Sequence, residues 1–372
     1  MKDSHEIINQ IIVHHRVPIL SLCQWRDIIL ISRANSVLPR VAYIALNYPS
    51  AEIPPEVKTH LQAARRHETL FHNQVRFETE TVRQLVAKIT DTKLVILKGA
   101  GYVLSENKAA NGRVFSDIDI LLPKNEVEKV EQCLMMFGWL SQSEDDYDQH
   151  YYREWAHEIP PLRHFKRGAV LDVHHNIVPP VSGRAPNANI LFSSTVTLPS
   201  GIEVLQPSAM FLHSAVHLFF GEEFHHGYRD LTDLAYLLEE FVDDKNEMAH
   251  LGRLAKQMGF SVEVFLAFRY LEKMLNVNIE LDLKALLPQV KLSKLQLVYC
   301  DFVFTRVLAL NHKLIPSNFR NFATNLAFVR GHLLKMPLRI LLKHSAKKMS
   351  RYMTELLVGN IDKKNRSKDD LS

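Results

Sequence analysis

The chain has 372 residues, 47% of them hydrophobic and 23% charged, with a formal net charge of +4, which is ordinary for a soluble globular protein with a sizeable core in two or three lobes. Cys23, Cys133 and Cys300 are far apart and form no CxxC pair, which argues for a reducing compartment and against a disulfide framework or a zinc ribbon. No apolar run reaches the roughly 18–20 residues that span a bilayer, and the polar, histidine-rich start over 1–16 is no signal peptide, so the cytoplasm is the expected location.

Residues 20–48 carry apolar side chains at helical spacing, among them Leu20, Ile28, Ile31, Val37, Val41 and Ile44, and stop at Asn47-Tyr-Pro-Ser. Pro54-Pro55 opens a further helix that runs to about Ile89, so 1–90 reads as an N-terminal helical lobe. Between 91 and 205 the pattern is mixed: a short apolar strand near 94–97, a glycine turn, a helix, and a second strand over 117–122. An amphipathic helix at 126–137 then ends at Gly138, and a hairpin over 165–174 turns at Lys166-Arg167-Gly168. From Pro207 helices return to about Asn311, which defines a C-terminal helical lobe over 206–311. The fold class expected is therefore α+β, a small mixed sheet flanked by helical lobes.

A basic helical extension follows over 312–361, and a polar tail over 362–372 is expected to be disordered. From Lys313 to Arg351 nine lysines and arginines occur without an aspartate or glutamate, interleaved with Leu, Met and Ile over 328–342. Pro337 divides this stretch into two helices. One reading is an amphipathic surface for an anionic membrane or nucleic acid, which adds a peripheral contact at the inner membrane surface to the cytoplasmic location. The preferred reading is a packed helical pair with a solvated basic face. On that reading Phe319, Phe322, Leu326, Phe328, Leu333, Leu334 and Leu338 complete the lobe's core.

The chemistry concentrates in Leu94–Leu122, LVILKGAGYVLSENKAANGRVFSDIDILL. Side chains alternate along a strand, so Asp117 and Asp119 point to one face while Ile118 and Ile120 enter a core. Two carboxylates on one face beside a glycine turn suit divalent cations that hold a nucleotide's phosphates. Lys98 and Arg113 offer positive charge for those phosphates, although Arg113 is equally suited to a salt bridge with Asp117 or Asp119. Gly99 and Gly101 allow close backbone approach, and the helix that follows the Gly99-Ala100-Gly101 turn can receive an oxyanion at its N-terminus.

Lys98-Gly99 followed by Arg113-x-x-x-Asp117-Ile-Asp119-Ile-Leu-Leu resembles the uncharacterised nucleotidyltransferase family of the DNA polymerase β-like superfamily. Ala100 stands where Gly or Ser is usual in the superfamily, and the spacing to Asp117 is longer. Both features fit the variant family, whose turn reads Lys-Gly-Ala. The resemblance extends more loosely from about Trp25 to about Glu239. It implies a nucleotidyltransferase sheet core over 91–205, a metal site of Asp117 and Asp119, and Asp172 of Val170-Leu-Asp-Val-His174 as the third ligand or general base. Arg229-x-x-x-Asp233 resembles a helix that follows the catalytic sheet in minimal and abortive-infection-type relatives, where the base meets the triphosphate and the acid orients it. A plain i,i+4 ion pair explains the same spacing equally well.

His174-His175 and the helical pair His213 and His217 lack further spaced ligands, so zinc is not favoured. Strand-end hydrogen bonding suits His174, which also lines the acceptor side on this reading, and packing suits the helical pair. The function expected is a metal-dependent transfer of an NMP from an NTP, with Mg²⁺ or Mn²⁺, to an unidentified hydroxyl or phosphate acceptor. By family analogy that acceptor is sugar or lipid-linked, in polysaccharide assembly. The alternatives are a toxin-like transferase acting on tRNA or protein, a non-catalytic scaffold that keeps the fold, and a phosphohydrolase. The intact Asp117, Asp119 and Asp172 set speaks against the scaffold, and the lack of an HD motif against the hydrolase.

Overall fold

The computed structural model describes residues 4–349 apart from 50, 143–145, 281, 344 and 348. Four helices come first: α1 (Ser4–Ile12), α2 (Leu22–Ala34), α3 (Leu38–Asn47) and the long α4 (Pro55–Val86). Ser21 and Gln24 close a reciprocal capping box at the start of α2, and prolines open α3 and α4, where a missing N–H costs nothing.

The mixed region then alternates strands and short helices: β1 (Val95–Ile96), α5 (Lys98–Leu104), β2 (Ile118–Leu121), α6 (Lys124–Met136), β3 (Trp139–Ser141), α7 (Asp146–Glu154), β4 (Leu162–His164), β5 (Val170–His174), α8 (Asn189–Phe192), β6 (Thr195–Thr197) and β7 (Glu203–Leu205). The strands form one sheet in the order β3-β4-β5-β2-β1-β7-β6. β2 runs antiparallel to β1 but parallel to β5, so the sheet is mixed. The β2–β5 register sets Asp119 directly beside Asp172. β2 is buried on both faces and β5 on one, and each is aliphatic apart from its aspartate and the His174 that ends β5. The hairpin expected at 165–174 has its first strand earlier, at Leu162–His164, and uses 165–168 as the turn.

The remaining helices are α9 (Pro207–Phe220), α10 (Gly227–Glu239), α11 (Lys245–Gln257), α12 (Ser261–Leu275), α13 (Leu283–Leu286), α14 (Lys294–Val307) and α15 (Arg320–Lys335). α9 is apolar nearly all round because α10, α11 and α12 pack against it. A continuous apolar core runs from Ile7 of α1 through the sheet to Ala327 of α15.

The C-terminal extension departs in part from its expected packing. α15 stops before Pro337 and helix resumes at 338, as a proline break requires. α15 buries its small residues Ala323, Ala327 and Gly331 against α14 and α9. A Cβ on Gly331 would lie 2.5 Å from Glu222 Cα, so the two backbones touch there. Phe319, Phe322, Phe328, Leu333 and Leu338, expected inside, face outward instead, while Leu326 and Leu334 are partly buried. The disordered tail expected over 362–372 lies outside the described residues, as does the extension beyond 349.

Candidate active site

The site forms where β2 and β5 lie side by side. Asp117 immediately precedes β2, Asp119 lies within it, and Asp172 occupies the neighbouring position on β5. One carboxylate oxygen from each lies within 4.8 Å of the other two. Asp172 Oδ1 is buried without a hydrogen-bond partner. Burial, with the charges of Asp119 and Glu158 behind it, pushes the Asp172 carboxyl up to about 8. A buried carboxylate that no donor satisfies is costly, and converging carboxylates relieve that cost by sharing a cation. The donor set therefore fits a hard divalent metal.

Asp119 is already held. Lys98 Nζ donates to its Oδ1 at 3.0 Å, and His174 Nε2 reaches the same oxygen at 2.9 Å. Burial alone would raise this carboxyl, but Lys98 and His174 outweigh it and hold Asp119 well below the usual carboxylate range. His174 Nδ1 lies 3.2 Å from Glu158 Oε2, so the imidazole bridges two carboxylates. Burial favours the neutral ring, yet Glu158 and Asp119 together raise His174 above its ordinary value. Residues 157–159 run along the end of β5, with Ile159 N donating to Val173 O and His175 N to His157 O, which brings Glu158 to His174.

The loop that delivers Asp117 is clamped from both helical regions. Glu68 of α4 accepts from Gly112 N at 2.7 Å, and His72 Nε2 meets Arg113 O at 2.8 Å. Arg40 of α3, almost wholly buried, donates to Ala109 O, Asn111 O and Thr232 Oγ1. Gly112 has φ +74°, and a Cβ there would fall 2.1 Å from Arg40 Cα, so only glycine fits.

Arg113 does not pair with Asp117 or Asp119. Its Nε donates to Asp233 Oδ2 at 2.7 Å, and Nη2 lies 3.5 Å from Asp230. Asp233 also faces Arg40 at 2.9 Å. The i,i+4 pair expected between Arg229 and Asp233 is absent: Arg229 takes the adjacent Asp230 at 2.9 Å, because Asp233 faces inward to two buried arginines.

A cavity of about 890 Å³ opens over the carboxylates. Lys98, Gly99, Arg113, Asp117, Asp119 and Arg229 line it, whereas Ala100, Gly101, Asp172 and Asp233 do not. Ala100 and Gly101 belong to the first turns of α5, and a Cβ on Gly101 would meet Ile96 O at 3.0 Å. That glycine serves helix-on-strand packing. Gly99 sits against the Phe115 ring, 2.7 Å from where its Cβ would be. Five cationic side chains on the cavity wall (Lys98, Arg113, Arg229, Arg33 and Lys335) face five acidic ones (Asp117, Asp119, Asp230, Glu222 and Glu223). A polyanion gains no net attraction from such a wall until a cation joins the acids. His217, expected only to pack, projects into the cavity, where the Lys98 charge and then burial hold its ring neutral, at about 3.

Glu158, Asp230 and Arg40 escaped the sequence reading. Arg40 did leave a trace, as a lone charge within the apolar run Leu38-Pro-Arg-Val-Ala-Tyr-Ile. Glu158 and Asp230 carry no such signal.

The model of an uncharacterised nucleotidyltransferase family matches residues 22–276. Among solved structures, a solution structure of the antibiotic-resistance factor ANT(2'')-Ia is similar at 15% identity, covering 54% of this chain and 96% of that one with a TM-score of 0.26. No curated protein matches the sequence.

Proposed function

Because the chain belongs to the uncharacterised nucleotidyltransferase family, we propose that it transfers an NMP from an NTP to a hydroxyl or phosphate acceptor in a metal-dependent reaction. The observations that carry the metal reading are the unpartnered, buried Asp172 Oδ1 and the convergence of one carboxylate oxygen each from Asp117, Asp119 and Asp172 within 4.8 Å. Asp117, Asp119 and Asp172 would hold Mg²⁺ or Mn²⁺, which when bound supplies positive charge against the triphosphate and acidifies the acceptor hydroxyl. Lys98 and His174 keep Asp119 ionised and oriented. Asp172, whose carboxyl is raised by burial while that of Asp119 is held down, is the carboxylate suited to take the acceptor's proton as the new P–O bond forms and pyrophosphate departs. Arg229 and Arg113 stand along the cavity wall where charge develops on that leaving group. Arg113 is steadied by Asp233 rather than free to move, which suits a preorganised donor.

The acceptor class we favour is a sugar or a lipid-linked phosphate or sugar, as in polysaccharide assembly. The cavity's size suits a nucleotide together with a second small group, and Lys335 of α15 brings the basic C-terminal region to its rim. The experiment is to incubate the protein with each α-labelled NTP, Mg²⁺ or Mn²⁺, and fractionated cell extract. Label should enter an acceptor with one NTP and not when the label is on the γ-phosphate. Absence of transfer with every NTP, or equal transfer by the Asp117→Asn variant, would remove this reading.

A further inference from the structure

We propose that the outer face of α14 and α15 is a docking surface for an anionic lipid bilayer. On α15, Phe322, Val329 and Leu333 fall at i, i+7 and i+11, which is one helical face, with the partly buried Leu326 at its inner edge. It is not the face that packs, since Ala323, Ala327 and Gly331 hold α15 against the body. Phe322, Val329 and Leu333 are 57%, 54% and 51% exposed. α14 adds Leu295 and Val298, 83% and 66% exposed, at the spacing of one of its own faces. The Phe302 and Phe322 rings lie 6.1 Å apart, and Tyr299 Oη donates to Leu326 O at 3.4 Å. Those two contacts fix the helices antiparallel with their exposed apolar residues adjoining.

Charge selects the occupant. Between 283 and 349 there are 12 lysines and arginines, and the single acidic residue is Asp301; Arg320 and Arg330 are turned onto backbone carbonyls and Lys335 pairs with Glu222, so the basic character of the outer face rests on the others. Asp301 is already satisfied by Arg269 and Lys273. Lys294 adjoins Leu295 in sequence and Arg339 adjoins Leu338, and all four are exposed. An apolar ridge accompanied by cations of one sign suits the interface of an anionic membrane, where the ridge enters the acyl boundary and the cations meet headgroups. An RNA partner would leave Leu295, Val298 and Val329 without a favourable contact. A second copy of this chain would bring like charge against like. No helix among the described residues is long and apolar enough to cross a membrane. Lys335 lies on the cavity rim two residues past Leu333, so a docked protein would present its cavity beside the bilayer. That last point rests on the catalytic reading above, but the docking surface does not.

The test is co-sedimentation of the full chain with vesicles of phosphatidylcholine alone, or with a substantial fraction of phosphatidylglycerol. Binding should require the anionic lipid and fall roughly tenfold or more on raising NaCl from low to high concentration. A Phe322→Ser/Val329→Ser/Leu333→Ser variant and a Lys294→Glu/Arg339→Glu variant should each bind at least about tenfold more weakly. Both should keep the wild-type melting temperature and its response to Mg²⁺ and NTP, which separates lost docking from lost folding or a failed catalytic reading. The proposal is overturned if the full chain ignores anionic vesicles, or if the serine variant binds them undiminished. It is equally overturned if tRNA is bound in preference to vesicles, if the serine substitutions abolish a concentration-dependent dimer, or if binding appears only after residues 350–372 are removed.

Discussion

Replacing Asp172 with Asn removes a carboxyl that the metal-free protein accommodates at neutral pH only by keeping it protonated. Its Oδ1 is buried with no hydrogen-bond donor, and burial with the Asp119 and Glu158 charges pushes the carboxyl up to about 8. The same group in an unfolded chain titrates near 3.9. Because the folded value is the higher one, ionisation costs the fold nothing below about pH 4 and more at each step above it, until pH passes about 8. At pH 7 the gap of about three units from the unfolded value corresponds to roughly 4 kcal/mol. The Asp172 side chain is partly exposed and solvent screening relieves part of that, so Asp172→Asn should stabilise the metal-free protein by about 1–3 kcal/mol. The assay is thermal unfolding in EDTA across pH. Variant and wild type should melt together near pH 4, and the variant should melt a few degrees higher near pH 7.5. The wild type should then gain stability from Mg²⁺ with NTP, and the variant should lose most of that gain. Equal melting near pH 7.5, or an undiminished metal response, would refute the argument that these carboxylates converge on a cation.

Asp117 and Asp119 should respond differently to the same change. Asp117→Asn should abolish transfer with an unaltered urea midpoint, whereas Asp119→Asn should also cost about 2–4 kcal/mol, because it strips the counter-charge from buried Lys98 and His174; equal urea midpoints would contradict the bridge seen at Asp119. Gly112→Ala should destabilise by at least about 2 kcal/mol, since its backbone has φ +74° and the added carbon meets Arg40 at 2.1 Å. A wild-type midpoint for that variant would show that the loop before Asp117 is not held as described.

Strand periodicity is local, so alternation alone sets Asp117 and Asp119 on one face, whereas Asp172, on a second carboxylate-bearing strand, is named by the family resemblance. What brings Asp172 to them is the β2–β5 register, which depends on pairing across 53 residues and on no local signal. The Arg229-x-x-x-Asp233 spacing misled for a related reason. Spacing on a helix says which residues share a face, but not whether a stronger partner arrives from elsewhere. Arg40, 193 positions away in sequence, and Arg113 take Asp233, and Arg229 turns to Asp230. The glycine turn was read for phosphate approach, yet Gly101 answers to the carbonyl of Ile96. A glycine in sequence reports that something comes close, not what.

α15 carries the same ambiguity to the surface. Its small face (Ala323, Ala327, Gly331) and its large face (Phe322, Leu326, Val329, Leu333) are both apolar at helical period, and hydrophobicity alone would bury the large one. The fold buries the small one because α15 crosses the end of α9 in backbone contact, where Glu222 Cα leaves no room for a side chain at position 331. Such close backbone approach selects small residues whatever area is lost, and Phe322, Val329 and Leu333 are left outside. A sequence pays for such an exposed apolar ridge in solubility unless something covers it. The excess of lysine and arginine over acid in 283–349 is what makes an anionic surface the proposed cover, so that exposure here reads as an interface and not as a packing defect.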